Sequence, residues 1–135
     1  MAYKTVLLDG RAISQVVTNA AAVLPGTLGN VSSAAAFAAA ADSTARLFVF
    51  GDNQYSTDGC ELVAADAGGS AYQINDGDLR TLILAASQTV LKNDKLYIGA
   101  SGQVTKVVTG GLVGYAQDSV TTGAGVTAQI AVTMA

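Results

Sequence analysis

The residue types that carry chemistry are unevenly spread along this chain, and one of them is missing. Between Leu47 and Leu79 stand six acids, Asp52, Asp58, Glu61, Asp66, Asp76 and Asp78, with no Lys or Arg among them. A hard cation such as calcium needs several carboxylate and carbonyl oxygens in one small cage. Asn75-Asp76-Gly77-Asp78 and Asp52-Asn53 could each supply part of one. Neither continues into the spaced ligands and closing Glu of a calcium loop, so solvated turn carboxylates and no resident metal are expected. Cys60 follows Gly59 with no basic neighbour to lower its pKa, and reads as a small buried residue rather than a nucleophile. The chain has no His, which excludes a Ser-His-Asp triad and Cys/His catalysis. Any Ser or Thr nucleophile would need a carboxylate or one of Lys4, Lys92, Lys95 and Lys106 as its base, and these fall at strand edges or turns. One Cys allows no disulfide framework or cysteine-ligated zinc within one chain, and haem and iron-sulfur ligand sets are absent too. The glycines form no phosphate loop. The expectation is a protein that is not an enzyme and carries no cofactor.

The five tyrosines, Tyr3, Tyr55, Tyr72, Tyr97 and Tyr115, are scattered singly. Each suits an interface anchor, because tyrosine brings contact area at little entropic cost, and each suits the rim of a core equally well.

The elements that must hold these residues follow a period of two. Val126, Ala128, Ile130, Val132 and Met134 alternate with Thr127, Gln129, Ala131 and Thr133, which predicts a closing strand with one buried face. Thr5–Leu8, Arg46–Phe50, Arg80–Ala86, Lys95–Ile98, Gln103–Val108 and Leu112–Ala116 read as further strands. Asn75-Asp-Gly, Lys92-Asn-Asp, Gly99-Ala-Ser-Gly102, Gly110-Gly111 and Gly123-Ala-Gly125 supply the turns. Strands at this spacing predict a mainly β fold, a small antiparallel β-barrel or sandwich, in one domain over residues 1–135. Ile74–Leu79 and Leu91–Leu96 share an apolar-x-x-x-x-Leu frame 17 residues apart, each a polar turn feeding a strand. Pro25-Gly26 marks a turn that ends whatever Ile13–Val23 forms. Val31–Ala45 is expected as an Ala-rich loop or short helix, with Ser32-Ser33 as its cap.

Composition narrows the function classes. The 135 residues hold 7 basic and 10 acidic side chains, a net charge of −3. That is not the footprint of a nucleic-acid binder, which clusters Lys and Arg. Only 13% of residues are charged, about half the usual share. The surface left to Ser, Thr, Gly and Ala suits coverage by other protein chains, and suits an ordinary secreted-type β domain as well. The opening residues reach Asp9 after three apolar side chains, too short for a signal segment, and Ala34–Ala41 is too short to span a bilayer. Synthesis in a cytoplasm and no membrane partner are expected.

The order of these signals resembles the small head decoration (cement) proteins of tailed bacteriophages. The carrying residues are Lys4-Thr-Val-Leu-Leu8, then Leu24-Pro-Gly-Thr-Leu28, an Ala/Gly-rich passage and Arg46-Leu-Phe-Val-Phe50. Tyr72-Gln-Ile-Asn-Asp-Gly-Asp78 is similar to that family's polar-turn-plus-strand element, and Val90-Leu-Lys-Asn-Asp-Lys-Leu96 to its second, with Asn93 where a Gly is usual. Gly102–Val108, Leu112–Asp118 and the closing strand complete the pattern, while Gly51–Gly59 stands as an extra loop. The resemblance implies a structural virion protein on the capsid exterior that binds the major capsid protein between capsomers, stabilises the shell and clusters as a homotrimer. It carries over no catalytic residue. An extended N-terminal arm over residues 1–10 is expected to contact subunits or shell, with Tyr3, Val6 and Leu8 as its anchors. The alternative is a phage fibre- or adhesin-like β module that binds host glycans.

Overall fold

A computed structural model of the chain describes residues 7–9, 14–19, 21–40, 47–51, 68–74, 76–108 and 110–135. The fold is mainly β, as expected, and it forms two closed five-strand barrels. The first is built from β2 (Ser14–Asn19), β3 (Leu28–Val31), β4 (Ala36–Ala39), β5 (Phe48–Phe50) and β6 (Gly68–Gln73). Its strands run round the ring in the order β2-β4-β3-β5-β6. The second is built from β7 (Leu79–Leu84), β9 (Lys95–Ile98), β10 (Val104–Thr105), β11 (Leu112–Ala116) and β13 (Ala128–Met134). Its ring is β7-β10-β9-β11-β13, closed by β13 against β7. The short pair β8 (Thr89–Val90) and β12 (Val120–Thr121) sits beside it, and β1 (Leu7–Asp9) pairs with β7.

Numbered within its own barrel, each set of five strands joins in the same order: first to third, third to second, second to fourth, fourth to fifth, fifth to first. In both, the first–third pair is the parallel one. The two halves of the chain are therefore one topology used twice.

Over residues 31–40 the Ala-rich segment corrects the expectation of a loop or short helix, while residues 41–45 lie outside the described residues. Residues 28–39 are a β-hairpin, with Val31 opposite Phe37 and Gly29 opposite Ala39. Ser32 does act as a local cap, but it closes a turn. Its carbonyl accepts the Ala35 N–H at 2.9 Å and its hydroxyl accepts the Ala36 N–H at 3.2 Å. Ala35 takes the left-handed φ of 57° that such a loop requires. Alanine's helix preference loses because Phe37 is fully buried against Phe50, with ring centroids 5.1 Å apart. Burying that ring outweighs a propensity of a few tenths of a kcal/mol per residue, roughly. Pro25-Gly26 is the expected turn: Gly26 has φ 94° and Thr27 N–H donates to Leu24 O at 3.2 Å, the geometry of a type II turn.

The first barrel encloses Val17, Val23, Phe37, Phe50 and Ala71. A larger core fills the second barrel with Leu82, Leu84, Leu96, Ile98, Val104, Ile130 and Val132, and continues into Leu28, Ala40 and Val49 of the first. Strands β3 and β5 thus face two ways, one set of side chains into their own barrel and the other into the seam. Of the closing strand, Ile130, Val132 and Met134 are buried as expected, whereas Val126 precedes β13 and is exposed.

Candidate functional site

None of the sequence-level candidates assembles a reactive centre among the described residues. Asp76 is exposed, while Asp78 is buried and paired with Arg80 at 3.3 Å. The two cannot share a cation. Among the described residues no group of three or more His, Cys, Asp or Glu could hold a metal ion, and no helix is long and apolar enough to cross a membrane. Asp52, Asn53, Asp58, Cys60, Glu61, Asp66 and Asn75 lie outside the described residues, as do Lys4, Tyr3, Val6 and Tyr55. Leu8 falls on β1, whose neighbours Leu7 and Asp9 lie opposite Arg80 and Leu79 of the same chain. Lys92 and Lys95 are exposed. Lys106 reaches Asp94 at 3.2 Å.

Two places stand out instead. At the junction between the barrels, Arg80 is fully buried at the start of β7. Its Nη2 donates to Asp78 Oδ2 at 3.3 Å and to the Gln73 carbonyl at 3.1 Å, and its Cζ lies 5.5 Å from the centre of the Tyr72 ring. Tyr72 and Gln73 end the first barrel, and Asp78 and Arg80 begin the second, so this cation ties one barrel's last strand to the other's first. A signal was present in the sequence: Asp78 stands just ahead of β7 and two residues before Arg80, a spacing that in extended chain puts both side chains on one face.

The second place is an outward face of the second barrel. Leu112 of β11 lies opposite Tyr97 of β9, and Tyr115 opposite Lys95 and Thr133. Leu112 is 41% exposed and Tyr115 38%. Val107 and Val108, in the connection between β10 and β11, are more exposed still. Exposed and half-buried apolar and aromatic side chains that neighbour one another across strands, here Leu112 and Tyr97, are the kind of feature a contact surface uses. Tyr97 and Tyr115, each suited by sequence to an interface anchor or to the rim of a core, both lie on this outward face, Tyr97 half-buried and Tyr115 exposed.

The polar turns pin this architecture. Gly77 N–H donates to Met134 O and Met134 N–H to Asp78 O, both at 2.8 Å; Asn93 N–H donates to Ala116 O at 2.8 Å and Ala116 N–H to Asp94 O at 2.9 Å. Gly77 and Asn93 have φ of 83° and 75°. Asparagine substitutes for glycine because it tolerates the left-handed region better than other side chains. The echo seen in the sequence is thus a real structural equivalence, but it aligns Gly77 with Asn93 and Asp78 with Asp94, a spacing of 16 rather than 17. Asp94 is held below the ordinary aspartate range, first by the Leu91 N–H that donates to its carboxylate at 2.9 Å and then by Lys106.

No family model matches the chain, and no curated protein matches it. Among solved structures it is similar to the N base of head fiber gp8.5 in bacteriophage phi29. The TM-score is 0.59 at 14% identity, over 93% of this chain and 95% of that one. The likeness is one of fold, and it runs through both barrels.

Proposed function

We propose that this protein is a structural component of a bacteriophage head, seated on the capsid exterior as a decoration or cement protein. It binds the major capsid protein where capsomers meet and acts as a homotrimer. The observation that carries this reading is the fold held in common, over almost the full length of both chains, with a protein named as the base of a head fiber. The order of sequence signals supports the same reading. So does the exposed apolar face of β9 and β11, which suits contact with another protein.

The physics of the role is simple. A protein that binds the assembled shell and not its loose subunits adds its binding free energy to the shell's stability. One subunit this small offers a modest interface, and a symmetric cluster multiplies the attachments. The same likeness also favours a second reading, a fibre module that binds host glycans, because the neighbour's name is that of a fiber base. Co-sedimentation separates the two. The purified chain is expected to pellet with expanded heads of its virus and not with immature ones. Leu112→Asp or Tyr115→Asp should weaken this about tenfold or more, as for a central interface anchor. Saturable binding to a glycan array without binding to heads would replace the first reading with the second.

A further inference from the structure

The two barrels correspond residue by residue, and the correspondence singles out one face. Gly26 N–H donates to Phe50 O and Phe50 N–H to Thr27 O, both at 3.0 Å. Asn93 and Ala116 repeat the pattern: Asn93 N–H donates to Ala116 O at 2.8 Å and Ala116 N–H to Asp94 O at 2.9 Å. Val49 lies opposite Leu28 and Phe48 opposite Gly29, just as Tyr115 lies opposite Lys95 and Gly114 opposite Leu96. The next turn repeats too. Ser32 N–H donates to Ala36 O as Gly99 N–H does to Gln103 O, and Ala35 and Gly102 are both left-handed, with φ of 57° and 72°. Leu28 and Val49 of the first barrel therefore match Lys95 and Tyr115 of the second, and the turn after β3 matches the turn after β9.

Matched positions differ in what covers them. Leu28 and Val49 point out of the first barrel and are fully buried, because the second barrel packs against them. The turn after β9 supplies part of that cover. Its Gly102 N–H donates to Ala40 O at 2.8 Å, and a Cβ at Gly102 would fall on the Leu28 backbone. Lys95 and Tyr115, by contrast, are exposed, and so is Leu112 on the same side. Val107 is exposed as well; it stands two residues past Thr105, as the buried Ala40 stands two past Ala38. The second barrel thus presents to solvent the side that the first has buried. The matching turn of the first barrel, Ser32-Ser33-Ala34, is likewise exposed. Each chain exposes one seat and one cover.

We propose that a second copy of this chain sits on the β9–β11 face, with its β3–β4 turn against Lys95 and Tyr115, so that copies join head to tail. The occupant is a second copy because the face continues the joint that this same chain already makes between its barrels. The new joint is wider than the internal one. Ala35 carries a Cβ where Gly102 has none, and Lys95 and Tyr115 are longer than Leu28 and Val49, so side chains rather than backbones meet. A contact between two different surfaces closes into a ring or runs on as a filament, according to its rotation. The inference rests on the homotrimer of the proposed function for the number three, and it gives that cluster its joint. The weaker head binding expected of Tyr115→Asp then follows from lost clustering.

The test needs no virus. Sedimentation equilibrium of the purified chain at about 100 μM should show trimers, and Tyr115→Asp should weaken the association about tenfold or more. Monomers of the parent chain at that concentration, or a Tyr115→Asp chain that associates as tightly as the parent, would overturn the proposal. Mixing reads the polarity. In a Cys60→Ser background, Ala34→Cys chains and Lys95→Cys chains should join through a short bismaleimide when combined, and neither should dimerise alone. Lys95→Cys dimers would show the face meeting its own copy and would overturn the proposal. So would a mixture that fails to join while each variant keeps the circular dichroism of the parent. A growing series of masses would keep the joint and refute the number three. Trimers that do not pellet with expanded heads would refute the virion role and leave the joint standing.

Discussion

Arg80 is the largest fully buried side chain described in this fold, and its charge is met by one carboxylate, one carbonyl and a ring face. Removing one partner of a buried pair leaves an uncompensated charge, which costs far more than the pair itself is worth. Asp78→Ala is therefore expected to lower the unfolding free energy by about 3–5 kcal/mol in urea titrations. Asp78→Ala combined with Arg80→Met should recover much of that loss, and a double variant as unstable as the single one would contradict the account. Gly102 is the second decisive residue. Its φ is 72°, its N–H donates to Ala40 O at 2.8 Å, and an added Cβ would collide with the Leu28 carbonyl and the Thr27 methyl. Gly102→Ala should cost about 2 kcal/mol or more, from the strained backbone together with the displaced seam. The Asp-x-Arg spacing is legible in the sequence. The carbonyl of Gln73 and the ring of Tyr72 are not, since they meet Arg80 only after one barrel has closed on the other.

At the scale of elements, the turn that holds Asp94 makes a prediction with a definite sign. Its carboxyl is lowered from the ordinary 3.8, chiefly by the Leu91 N–H and then by Lys106. A depressed folded-state value means that the stabilisation is present above the unfolded value and is lost as pH falls through the folded one. Carboxyl titration by NMR should find Asp94 below 3.8. Lys106→Ala should raise its midpoint only part of the way, because the backbone donor remains, and full restoration would reverse the order of causes. Strand reading succeeded where large apolar residues alternate with polar ones: Lys95–Ile98 and Leu112–Ala116 were placed to the residue, and β7 and β13 nearly so. It failed on the Ala/Gly strands. The interior of the first barrel is filled by the rings of Phe37 and Phe50, and a Cβ at Gly29 or Gly69 would strike one ring or the other. Facing positions must then be small, and a small residue carries almost no hydropathy signal to alternate. The apolar outward face was illegible for a different reason, since exposure is decided by which side of the barrel a strand occupies.

At the scale of the molecule, two barrels of one topology are joined by a core that runs from Leu28 and Val49 into Leu82 and Leu96. Such continuity predicts one cooperative unfolding transition, coincident by tyrosine fluorescence and by circular dichroism. Two separated transitions would mean that each barrel is stable alone. Rigid barrels with few charges and an exposed apolar face suit a chain that works by adhering to a lattice. Under the proposed role, repetition of one barrel within one chain would offer a lattice partner a longer surface than a single barrel does. The most direct test of the proposed virion role is electron microscopy, with reconstruction of the head, of virions assembled by the genome that encodes the chain. The account predicts density that accommodates both barrels on the outer surface of the shell, in contact with the major capsid protein. Virions that lack the chain, or carry it only on the tail, would contradict it.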